Sequence, residues 1–128
     1  MTTITISGVD ELFGTLGTLG AVETLVPPMQ RGVYRLVAEM AVYPPPPSGS
    51  KYVRTGTLGR RWTSKLNRNA NGVIGTIGNN TDYGPWVQSD AFQARVHQGR
   101  WQTDRQVVGE QEAAIVADFE QAIARAIR

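Results

Sequence analysis

Polar and apolar residues alternate from the start of the chain. Thr3-Ile4-Thr5-Ile6-Ser7 sets β-branched positions at period two, the pattern of a short half-buried strand. Ser7 is then placed to cap a helix, with Asp10 three residues on facing the orphan amides. Val9, Leu12, Phe13 and Leu16 keep helical spacing. Gly14, Gly17 and Gly20 interrupt them, each weakening a helix by about 1 kcal/mol relative to alanine, so this stretch predicts a short or broken helix. A firmer helix is expected to begin at Pro27-Pro28, because prolines are tolerated in a first turn, where their missing N–H groups would be unpaired anyway. Met29, Val33, Leu36, Val37 and Met40 form its apolar stripe, with Arg31, Arg35 and Glu39 mostly off it. Four consecutive prolines, Pro44 to Pro47, followed by Ser48-Gly49-Ser50, then predict a flexible, extended and solvated loop over 44–50.

The second half of the chain carries a hairpin. Trp62, Ser64 and Leu66 alternate with Arg61, Thr63 and Lys65, giving one partly apolar and one basic face. Asn71-Gly72 reads as the two-residue turn, since both residues accept positive φ. Val73-Ile74-Gly75-Thr76-Ile77-Gly78 returns as the second strand, and its glycines suggest a bulge or a close backbone approach. Residues 79–82 read as loop, Tyr83-Gly84-Pro85-Trp86-Val87 as a turn-rich aromatic stretch, and 92–101 give no clean periodicity. Thr103 and Gln106 make a capping-box pattern. Beyond it Ile115, Phe119, Ala122, Ile123, Ala126 and Ile127 line one helical stripe, opposite Glu112, Asp118 and Arg125. The whole predicts a single α+β domain over 1–128: an antiparallel β-sheet with a long hairpin, packed against two or three helices including a C-terminal helix.

Composition changes this picture little. The 128 residues are 41% hydrophobic and 19% charged, as expected of a folded domain rather than a disordered chain. No apolar run nears the ~20 residues that cross a bilayer, so no membrane partner is expected. No secretory signal is visible at the start, and the absence of cysteine fits a protein folded in a reducing cytoplasm. Net charge is only +2, but Lys51, Arg54, Arg60, Arg61, Lys65 and Arg68 follow one another with no acid between them. Such a run fits nucleic acid, an acidic protein partner or a solvated strand face.

Catalytic constellations are not visible. His97 is the only histidine, which with the lack of cysteine rules out a thiol nucleophile and a multi-histidine metal site. Ser89, Asp90 and His97 supply the residue types of a triad, yet no nucleophile elbow surrounds the serine. Gly56 to Gly59 lacks the lysine and hydroxyl order of a phosphate loop. The expectation is therefore a non-enzyme without cofactor or metal.

Interaction features remain. Trp62, Tyr83, Trp86 and Trp101 are large amphipathic rings of the type enriched where protein surfaces dock, and Arg60, Arg61, Arg95 and Arg100 are the other favoured anchor type. Their wording and order carry a resemblance. Tyr52-Val53-Arg54-Thr55-Gly56-Thr57-Leu58 is followed by the glycine-rich hairpin, then by Asp82-Tyr83-Gly84-Pro85-Trp86-Val87-Gln88. Gln93-Ala94-Arg95-Val96-His97-Gln98-Gly99-Arg100-Trp101 and a terminal helix complete the series. In this order the pieces resemble the small tail-completion proteins of long-tailed bacteriophages, the group that includes the minor tail protein Z of lambda-like phages. The resemblance implies a structural virion protein at the neck or tail, a tail-completion part or a related tail terminator or head–tail connector. It implies a homo-oligomeric ring, commonly a hexamer, at the head–tail junction beside tail-tube and connector proteins, with DNA passing through its lumen. On that reading the candidate subunit or partner interface is Arg60, Arg61, Lys65, Arg68, Tyr83, Trp86, Arg95, Arg100 and Trp101. The basic hairpin face (Arg61, Lys65, Arg68) is expected to meet an acidic neighbour or to line the DNA passage.

Overall fold

A computed structural model describes residues 2–5, 9–45, 49, 56–70 and 72–127. Strand β1 (Thr2–Thr5) precedes a long helix, α1 (Asp10–Met40); a short α2 (Thr57–Arg60) leads into the hairpin β2 (Trp62–Asn69) and β3 (Gly72–Asn79). A short helix α3 (Gly84–Gln88), a single 3-10 turn at Arg95–His97 and the C-terminal helix α4 (Asp104–Ala126) follow. The three strands form one antiparallel sheet in the order β1-β3-β2. The α+β architecture is thus the one the pattern predicts.

Helix α1 covers the sheet, and Gly75 is the point of closest approach. A Cβ there would lie 2.6 Å from both Met29 Sδ and Val33 Cγ1, so helix and strand meet at a distance that only glycine permits. Leu66 of β2 and Ile4 of β1 both pair with Gly75, flanking the bare backbone with branched side chains. Helix α4 packs against α1 through Ile115, whose Cγ2 lies 3.4 Å from the Cβ position of Gly32. Arg31 and Asp118 tie the helices together at their solvent edge at 2.7 Å, and this guanidinium holds the Asp118 carboxyl below the usual carboxylate range. Leu12, Leu25, Met29, Val33, Leu36, Met40, Val73, Ile77, Val107, Ile115 and Phe119 make the continuous core.

Four sequence expectations change. Pro27 and Pro28 do not open a helix; they lie inside α1, which runs through them from Asp10. Ala21, Val22, Leu25, Met29, Val33, Leu36 and Met40 form one unbroken buried stripe across the prolines. Burying it outweighs the roughly 3 kcal/mol that each interior proline costs. The break falls earlier, at Gly17 (φ 74°, ψ 175°), one of the three glycines expected to weaken this stretch. Ser7 lies outside the described residues, and Val9 holds the N-cap position without a side-chain cap bond. In the hairpin, Asn69 pairs with Gly72, so Gly72 belongs to β3 and not to the turn expected at Asn71-Gly72. Gly72 instead starts β3 at φ 141°, a geometry that also favours glycine. Finally, Arg68 does not share a face with Lys65. Strand parity sets Arg68 opposite Val73, on the side of Leu66 and the core, while Lys65 pairs with Thr76 on the outward face.

The 44–50 loop is described only in part: Tyr43, Pro44 and Pro45 continue α1 without helix, and residues 46–48 and 50 lie outside the described set. Thr103 and Gln106 form the predicted reciprocal capping box at the start of α4.

Candidate interaction surface

Between β3 and α4 the chain has little regular structure, and side-chain amides fix its path. Asn79 begins the work. Its Oδ1 accepts from the Thr81 amide at 2.9 Å and the Thr81 hydroxyl at 2.6 Å, while its Nδ2 donates to the Leu58 carbonyl at 2.8 Å. Gly84 sits against this cluster, where a Cβ would lie 2.8 Å from Thr81 Oγ1. Pro85 then opens α3, as prolines do in a first turn. Gln88, 1% exposed, donates to the Met40 carbonyl at 3.0 Å. Gln102 donates to the Glu39 carbonyl, so two glutamines satisfy carbonyls at the C-terminal end of α1. Gln93 gathers the loop itself, its Nε2 donating to the carbonyls of Val87 at 2.7 Å and Trp101 at 2.9 Å.

This scaffold leaves apolar side chains pointing out. Tyr83, Trp86, Phe92 and Val96 are all exposed, the last two at 61% and 67%. Trp86 and Phe92 meet edge to face with ring centroids 6.5 Å apart. Arg95 and Arg100 are exposed on the same segment. Exposed apolar side chains gathered on one segment are of the kind that docking surfaces use.

The nine residues singled out from the sequence fall into separate places. Tyr83, Trp86, Arg95 and Arg100 belong to the exposed 83–100 segment. Tyr83 and Trp86 occupy one turn, with the Trp86 amide bonded to the Tyr83 carbonyl, but both rings face solvent rather than wedging against the hairpin. Trp101 is half-buried, meeting Tyr43 edge to face with ring centroids 5.1 Å apart, and Tyr43 in turn accepts from the Gly59 amide at 2.9 Å. Trp101 therefore helps hold the segment to α2. Arg60 and Arg61 are exposed just before β2, Lys65 on the outward face of the sheet and Arg68 near the hairpin tip. Phe92 and Val96 belong to the surface but escape sequence reading, because the 92–101 stretch has no period to set them apart. Gln88, Gln93 and Gln102 escape it too, since the amide of a glutamine gives no hint from sequence of the carbonyls it will find.

Ser89, Asp90 and His97 do not assemble. Asp90 faces Arg105 at 3.6 Å, and no hydrogen bond joins either Asp90 or Ser89 to His97. The His97 ring packs edge-on to Trp101, and its Nδ1 is buried without a hydrogen-bond partner among the described residues. Burial, with a smaller contribution from Arg100, holds its pKa below the ordinary histidine value. A cleft of about 520 Å³ is lined by Trp62, Lys65, Asn67, Gln88 and Asp104 among others. Trp62 Nε1 and Gln88 Oε1 lack partners there, a donor and an acceptor of the kind that a bound water satisfies. Among the described residues no group of three or more His, Asp or Glu side chains is placed to hold a metal, and no helix is long and apolar enough to cross a membrane. Comparison with protein-family models, with curated proteins and with solved structures gave no match.

Proposed function

We propose that this chain is a non-enzymatic structural subunit of a bacteriophage particle, a tail-completion or neck component that packs into a homo-oligomeric ring at the head–tail junction. The observation that carries the reading is the aromatic surface of Tyr83, Trp86, Phe92 and Val96 on a backbone fixed by buried amides. Two of the motifs behind the resemblance, 82–88 and 93–101, lie in this same segment. A surface whose backbone is already ordered loses little conformational entropy on docking, and its rings supply the contact area of an anchor. Tail terminators and head–tail connectors are the related roles for the same kind of subunit.

Light scattering across a concentration series, with and without purified tail tubes, tests the proposal. A defined ring, alone or on tube ends, is the expected result. Replacing Trp86 and Phe92 together by alanine is expected to weaken docking about tenfold or more while leaving the fold intact, as loss of an aromatic anchor does. A chain that ignores tubes but binds DNA, with affinity falling steeply as salt rises, would instead be a basic nucleic-acid module.

A further inference from the structure

The sheet ends in two edges of different character. At one end, helix α4 overhangs β1 and leaves an apolar groove of about 480 Å³, walled by Ile4, Val116, Phe119 and Ile123 and carrying Glu112 and Glu120. Val116 is 47% exposed in it. At the other end lies β2, eight residues long, with Lys65 and Arg68 and no acid. Among the described residues, no backbone hydrogen bond from 62–68 is made on the side away from β3. The helical layer ends in the same way. Tyr34 lies two residues from Gly32, hence about 200° round α1 from the contact with α4, and is 55% exposed.

We infer that the β1/α4 groove of one copy receives the β2 edge of the next, so that sheet and helical layer both continue from subunit to subunit. The inference rests on the ring proposed above and names its contact. Direction fits. Strands β1 and β2 both run antiparallel to β3, hence parallel to each other, and a rotational repeat of the subunit joins them as a parallel pair. Facing fits as well. Arg68 and Leu66 lie on the same side of the sheet as Ile4, because Leu66 and Ile4 both pair with Gly75 and Arg68 follows Leu66 by two. That side faces the helices, so an incoming β2 brings Arg68 toward Glu112 and Glu120. Charge then selects this contact over β2 pairing with its own copy, which would set Lys65 and Arg68 against like charges. The two surfaces differ, so the contact is heterologous, the kind that builds a ring where its rotation closes, and not a two-fold dimer.

Two charge reversals test it. Arg68→Glu and the double variant Glu112→Arg/Glu120→Arg alter exposed side chains, and circular dichroism melting verifies that each is folded. Under conditions where the wild type forms rings, each variant alone is expected to need at least about tenfold more protein to assemble, the change that a lost charge pair of this size gives. Mixed one to one they are expected to assemble again, into rings holding both chains equally, because each groove then meets an edge of opposite charge. Variants that assemble as the wild type does, or a mixture that stays dispersed, would overturn the contact while leaving the ring standing. A wild type that forms no ring, alone or on tail tubes, would reject the ring itself.

Discussion

Two single residues carry unusual weight. Gly75 lets α1 lie directly on β3, and an alanine there would set a methyl 2.6 Å from Met29 and Val33. Gly75→Ala is therefore expected to cost about 1–3 kcal/mol as an overpacked core does, read from urea denaturation with an unchanged slope. Its importance was partly legible: the glycines of 73–78 announced a close approach, though nothing in the strand named the helix that would make it. His97 shows the opposite. Its sequence surroundings gave no hint of its environment: the ring packs on Trp101, and Nδ1 has no partner among the described residues. Because burial depresses its pKa, the unfolded chain binds a proton at about pH 6.5 that the folded chain resists. Stability is then full above that pH and falls as the solution is acidified toward the lower folded value. Melting temperatures between pH 8 and pH 5.5 should fall for the wild type and fall less for His97→Gln.

At the scale of the element, local rules succeeded where the answer lay within one turn. The capping box of Thr103 and Gln106 and the Ile115–Phe119–Ile123 stripe were both readable, and α4 formed as they required. Thr103→Ala should lower stability by about 1 kcal/mol, with the loss confined to the first turns of α4 in amide exchange. Helix α1 shows the limit of such rules. Taken as punctuation, Pro27 and Pro28 suggested a start, yet the stripe from Ala21 to Met40 passes straight through them. Local propensity is worth a few kcal/mol, whereas the whole stripe is buried against a sheet the helix cannot foresee. Gly72 joins β3 instead of the turn for a similar reason: Asn71-Gly72 favours a turn, but the pairing of Leu66 and Ile4 across Gly75 is a tertiary fact.

For the whole molecule, the division into a covered face, an aromatic segment and two unlike edges matters more than any one side chain. Residue identity had pointed to arginines and large rings as anchors. Folding separated them, keeping Tyr83 and Trp86 outside, turning Trp101 partly inward, and sending Arg68 and Lys65 to opposite faces of β2. Strand parity for Arg68 could have been counted from Leu66 in the sequence itself. The exposure of Phe92 and Val96 could not, since it depends on which carbonyls Gln93 reaches. The assembly experiments address this level. Loss of Trp86 and Phe92 should affect attachment to a neighbour of different kind, whereas the charge reversals should affect contact between copies.

The bonds from Gln88 and Gln102 to the last carbonyls of α1 have a mechanical meaning. A pull on Trp86 does not stretch a loose loop; it is delivered end-on to a helix whose segment from residue 18 to 40 is about 35 Å long and braced along the sheet. The two bonds act side by side at one end of the helix and so share such a load. The exposed rings thus form the handle of a strut, and strain applied at the surface travels into the helix that contributes most of the buried core.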